Sequence, residues 1–96
     1  MADGIIPARI SVLTEAAGLV DGDRQAVYGS ALTNHERIAR LFNARLHEKL
    51  LEPLTAADCA ALMRLVKEAR LIQTPGHRDS LVDIAAYAEV EARISA

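Results

Sequence analysis

Tryptophan is absent from this 96-residue chain, and only one Phe and two Tyr accompany its aliphatic residues. The core must therefore be aliphatic, and the shortage of rings argues against a surface that stacks single-stranded bases. Cysteine occurs once, at Cys59, so no intrachain disulfide is expected and an intracellular, cytoplasmic location is the default. No apolar run reaches the ~18 residues of a membrane-spanning helix. A basic segment followed by an apolar one is likewise missing from the N-terminus, so neither a membrane anchor nor a signal peptide is expected. Positive charge is not in excess: 11 Lys and Arg against 13 Asp and Glu leave a net charge of −2. That balance argues against a duplex nucleic-acid partner, which calls for a basic patch or stripe. Period-two alternation, internal repeats and low-complexity tracts are also lacking, which excludes a sheet and leaves residues 1–96 as a single domain.

Hydrophobic residues make up 51% of the chain, and many of them are Ala. Alanine packs helices closely but buries little area per residue, so oligomerisation is a natural source of further burial. After a loose lead-in over residues 1–7, Pro7 suits a helix first turn. Ile10, Leu13, Ala17 and Val20 then recur at three- and four-residue steps, which predicts an amphipathic helix over 8–20. Asp21-Gly22 ends it, with Gly22 expected in the left-handed position after a helix. Thr33-Asn-His-Glu36 matches a capping box and opens a second helix with Ile38, Leu41, Phe42, Leu46 and Leu50 inward, stopped by Glu52-Pro53. Thr55-Ala-Ala-Asp58 caps a third helix, running to about Ile72, with Cys59, Leu62, Met63, Val66 and Ala69 inward. Thr74-Pro75-Gly76 breaks the chain before the last helix. Short connections favour antiparallel neighbours, and the whole reads as an all-α, four-helix bundle-like single domain.

The last helix, 77–96, is apolar on two sides. Leu81, Ile84, Ala85, Ala88 and Ala92 form one stripe, read as the core side, while Val82, Ala86, Val90 and Ile94, with Tyr87 at the edge, form another. Such a helix is either central to its domain or shared with a second subunit, so a homo-oligomer is expected. Asp79 and Asp83 stand one turn apart on the second face. One reading is a Mg²⁺ or Mn²⁺ site, since hard cations take carboxylate oxygens and residues four apart share a helix face. The other makes Asp79 a partner of the helix N-terminus and pairs Asp83 with an Arg.

Elsewhere, Lys67 and Arg70 are three apart at the margin of the third helix's core face. Arg70 either grips a phosphate or carboxylate with its planar fork or lays its stem along the core and sends its head to water. Arg24, Tyr28 and Gly29 form a ligand-loop candidate: Gly admits close approach, Arg supplies charge and Tyr a flat face with a hydroxyl. The ordinary alternative is a turn anchored by its Tyr. His35 and His77 are isolated and lack zinc-site spacing. Cys59 sits on the core face, where burial rather than nucleophilicity is expected. No phosphate loop, nucleophile elbow or paired CxxC is present.

In order, the chain reads Arg24-x-x-x-Tyr28-Gly29, Asn34, Lys67-x-x-Arg70, then Asp79-x-x-x-Asp83-x-x-x-Tyr87. From about Leu13 to Ala92 this resembles a family of small, functionally uncharacterised phage and prophage proteins. More remotely it resembles the all-α nucleoside triphosphate pyrophosphatases of the MazG type. That resemblance implies an oligomer handling a nucleotide, with Asp79 and Asp83 as the acidic pair holding Mg²⁺ and with Lys67 and Arg70 facing phosphates. Arg24, Tyr28, Gly29, Asn34 and Tyr87 complete the expected ligand set. The pyrophosphatase pattern also carries a Glu-x-x-Glu pair on an earlier helix, which this chain lacks. A domain that binds a nucleotide signal, or a defence protein of the host, without cutting anything is the alternative, beside a purely structural helical module.

Overall fold

A computed structural model describes residues 10–22 and 29–95. Its described residues form four helices and no strand: α1 (Val12–Asp21), α2 (Ala31–Leu46), α3 (Ala56–Gln73) and α4 (Arg78–Ser95). None is long and apolar enough to cross a membrane. The all-α expectation holds.

The starts of α1, α2 and α3 are each fixed by a short polar side chain. Ser11 Oγ accepts the Thr14 N–H at 3.0 Å, and Ser30 Oγ accepts the Thr33 N–H at 3.1 Å. Thr33 is therefore not the cap of α2 but lies inside its first turn, and the helix starts one turn earlier than expected. Gly29, at φ +84°, supplies the left-handed residue just before Ser30. At α3 the expected capping box is present: Thr55 Oγ1 accepts the Asp58 N–H, and Asp58 Oδ2 accepts the Thr55 N–H. Gly22 differs in its reason. Its φ is −88°, and a Cβ there would stand 2.6 Å from the Gly18 carbonyl oxygen, so close approach rather than left-handed backbone demands glycine.

The α2 helix ends at Leu46, before the expected Glu52-Pro53 stop, and Lys49 N–H closes a turn onto the Leu46 carbonyl. Asn43 then pins the α2–α3 connection in both directions: its Nδ2 donates to the Leu54 carbonyl at 3.0 Å, and its Oδ1 accepts the Leu54 N–H at 2.7 Å.

Helix α4 packs against all three others, which is what its two apolar sides provide. It runs antiparallel to α3, as Lys67–Asp83 and Arg64–Glu91 pair across the two helices. It runs parallel to α1, since Arg78 meets Glu15 at 3.0 Å near their starts and Arg93 meets Asp21 at 2.8 Å near their ends.

The core centres on Val82, Ala86 and Val90 of α4 with Ala16 and Val20 of α1 and Ala60 of α3. The core thus rests on the face expected to be shared, while on the other Leu81, Ala88 and Ala92 are exposed and Ala85 packs partly buried against the core. The phase of α1 also differs, for Ala16 is buried while Ile10, Ala17 and Leu13, the last 76% exposed, face out. On α2, His35 and Ala39 are buried while Leu41 is exposed. On α3, Cys59 and Ala60 are fully buried, whereas Leu62, Val66 and Ala69, expected inward, are exposed. One physical reason covers these shifts. Alanine and valine at the contacts let helix backbones approach closely, so the larger side chains are displaced to the margins.

Candidate ligand site

A cavity of about 260 Å³ opens between α1, α2 and α4. Because α2 starts at Ser30, Ala31, Asn34, His35 and Ile38 fall on one face of successive turns, and all four line the cavity. Leu19 and Val20 close it from α1, and Gly29 offers bare backbone at its wall. From α4 come Ala86, Tyr87 and Val90, with Met63 arriving from α3. The walls are mostly apolar with a few convergent polar groups, the usual make-up of a small-molecule site.

His35 is the unusual member. It is only 4% exposed, its Nδ1 lies 3.0 Å from the Ala31 carbonyl oxygen, and its ring meets Tyr87 edge to face at 6.1 Å between centroids. A carbonyl only accepts, so Nδ1 is assigned the hydrogen and Nε2 of the neutral ring is a lone-pair acceptor. That Nε2 is buried and has no partner among the described residues. An unmet buried acceptor costs about 1–3 kcal/mol, so it calls for an explanation.

One turn along α3 from Met63, and one turn back along α4 from Tyr87, Lys67 Nζ meets Asp83 Oδ2 at 2.9 Å. The two side chains are 13% and 28% exposed. Asp83 thus finds a cation in its apolar surroundings, and the cation is Lys67 rather than an Arg. The Lys67 ammonium has three donors and spends one on Asp83.

Of the seven expected ligand residues, Gly29, Asn34 and Tyr87 meet at the cavity. Arg24 and Tyr28 lie outside the described residues. Arg70 is in the last turn of α3 and is exposed. Asp79 stands exposed in the first turn of α4, where a carboxylate complements the helix N-terminus. Among the described residues no three His, Cys, Asp or Glu side chains group as metal ligands do. Burial, with help from the neighbouring Asp58 charge, raises the Cys59 thiol pKa, which suits a packed rather than a reactive sulfur.

Two residues of consequence escaped the sequence reading. Asn43 gives no signal, because its partner Leu54 is reached only once the loop has closed. His35 did give one: it lies four residues after Ala31 and four before Ala39, a titratable ring set into an inner face.

A family model described as a domain of unknown function, DUF6378, matches residues 11–95. The chain belongs to the DUF6378 family. Among its relatives is the Gene 55 protein of Mycobacterium phage L5, 43% identical over 81 residues, which cover 84% of this chain and 50% of that protein. The Gene 55 protein of Mycobacterium phage D29 is 40% identical over 84 residues, covering 88% of this chain and 53% of that protein. This DUF6378 chain spans about half the length of these curated relatives. No solved structure matches it. The resemblance to small phage proteins is borne out.

The Lys67–Asp83 pair generates a stability prediction. Lys67→Ala strands a partly buried carboxylate and should cost about 1–3 kcal/mol, less than the loss at a fully buried pair because Asp83 is still reached by water. The joint replacement Lys67→Met with Asp83→Leu should recover most of that loss. Urea unfolding of the three variants checks this, and an unchanged midpoint for Lys67→Ala would reduce the pair to surface decoration.

Proposed function

We propose that this DUF6378 domain is a cytoplasmic binding module for a small phosphate-bearing ligand of nucleotide type, held without turnover. The carrying observation is the convergence of Gly29, Asn34, His35 and Tyr87 on one largely apolar cavity, with the Lys67–Asp83 pair one turn away. The cavity takes the flat part of the ligand, and the spare donors of Lys67, with Arg70 on the next turn, take the phosphate. The resemblance to the MazG-type pyrophosphatases supports a nucleotide as that ligand. A metal-dependent hydrolase built on Asp79 and Asp83 is the competing version. It is less well supported, because the Asp83 carboxylate already accepts from Lys67 and a hydrolase needs enough carboxylates to hold metal ions against the phosphates.

Titration calorimetry with adenine, guanine, cytosine and uracil nucleotides tests this reading. Binding should persist in EDTA and weaken about tenfold or more in Arg70→Ala, with partial recovery in Arg70→Lys, whose point charge lacks the planar fork. Binding abolished by EDTA, or turnover in Mg²⁺ or Mn²⁺ that Asp79→Ala removes, would favour the enzyme instead.

A specific observation also favours the oligomeric-binder reading. Leu62, Leu65, Val66, Ala69 and Ile72 are all exposed, with Leu65 at 58% and Ile72 at 86%. Steps of three and four place Leu62, Leu65, Ala69 and Ile72 along one seam of α3, opposite the side that packs on α4. The homo-oligomer is therefore proposed to form through α3, since Val90 is already buried inside the domain. Wild-type protein should sediment as a dimer or larger at micromolar concentration, and Leu65→Lys should sediment as a folded monomer. A monomeric wild type would remove the proposal.

A further inference from the structure

Helix α4 keeps one long side uncovered. Val82, Ala86 and Val90 face the core, and at ~100° per residue Leu81, Ala88 and Ala92 fall on the opposite side, where all three are exposed. Antiparallel packing sets their level against α3. With Lys67 beside Asp83 and Arg64 beside Glu91, Ile72 stands near Leu81 and Leu65 near Ala88. On the other flank of α4 runs α1, parallel to it, and a groove of about 530 Å³ lies between the two. Ala16, Ala17, Ala85 and Ala88 line the groove together with Leu13. Glu89 and Arg93, which also line it, are paired with each other. One side of the domain thus carries a ridge and a groove next to each other: Leu65, Ala69 and Ile72 stand out along α3, and the alanines fall back between α1 and α4.

Leu13, Leu65, Ile72 and Leu81 are 76%, 58%, 86% and 39% exposed. With the exposed alanines beside them they present roughly 600 Å² of apolar surface, at the top of what monomers leave open and most of the ~800 Å² that each partner gives to a stable interface. A surface that holds both a ridge and a groove is complementary to itself when turned about a two-fold axis, since each copy then gives one and receives the other. Resting on the oligomeric reading above, we infer that a second copy of this chain covers this side, with the α3 ridge of each protomer seated in the α1–α4 groove of its partner. Large side chains then meet small ones, which lets the helices approach closely. Glu68 falls on the flank of the ridge, at the rim, where its carboxylate keeps water. A contact of α3 on α3 would leave both grooves and Leu13 in water.

Sedimentation velocity at micromolar concentration tests this with two variants at exposed positions, each checked by circular dichroism to remain helical. Leu65→Lys spoils the ridge and Ala88→Glu spoils the groove, so each alone should sediment as a monomer. Mixed in equal amounts they should recover the dimer, because the mixed pair keeps one intact ridge-in-groove contact and sets Lys against Glu in the other. A dimer that survives Ala88→Glu but not Leu65→Lys would overturn the groove and leave the α3 reading standing. Two monomeric variants that stay monomeric when mixed would overturn the ridge-in-groove arrangement. A monomeric wild type, or a dimeric Leu65→Lys, would overturn both.

Discussion

The contact on which the rest of the molecule depends is the seating of Val82, Ala86 and Val90 against Ala16, Val20 and Ala60. Val82 is 1% exposed and Ala60 is fully buried, so α4 is held from α1 and α3 at once by side chains with almost no length. Small residues bring backbones close, which multiplies dispersion contacts while burying modest area. No Leu, Ile or Phe is fully buried among the described residues. The large aliphatic side chains sit at the margins or outside, and ion pairs at both ends of α1 and along α3 fix the helices that the core alone holds lightly.

That economy has two structural consequences. Where α1, α2 and α4 meet, the side chains leave a cavity beside His35 and Tyr87. On the far side of α3, Leu65 and Ile72 point away from the domain that folded around Ala60. Both features accompany the same choice of small residues at the contacts.

Element types were legible in the sequence, because these depend on local chemistry, although α2 ends before the Glu52-Pro53 stop. Thr55 with Asp58, the Thr74-Pro75-Gly76 break and the two-sided last helix could all be read without a fold. Gly29, Asn34 and Tyr87, each legible in the sequence as a candidate, line the same cavity. Helix phase was less legible. Leu13 and Ala16 fit an apolar period equally, and periodicity weighs hydrophobicity rather than size, so it favoured the larger residue where close approach required the smaller one. The cap of α2 was displaced for a related reason: Ser30 and Thr33 are both competent caps three residues apart, and the left-handed Gly29 settles the matter in favour of Ser30. Lys67 as the partner of Asp83 depends on the antiparallel register of α3 and α4, which no single-helix pattern contains.

The central claim is that His35 holds a buried, unspent acceptor beside the cavity. Nitrogen-15 NMR of the imidazole in ligand-free protein at neutral pH tests it most directly. The account predicts the hydrogen on Nδ1, where the Ala31 carbonyl accepts it, and an Nε2 shift characteristic of a bare lone pair. A ring protonated at Nε2 alone, or at both nitrogens, would contradict it.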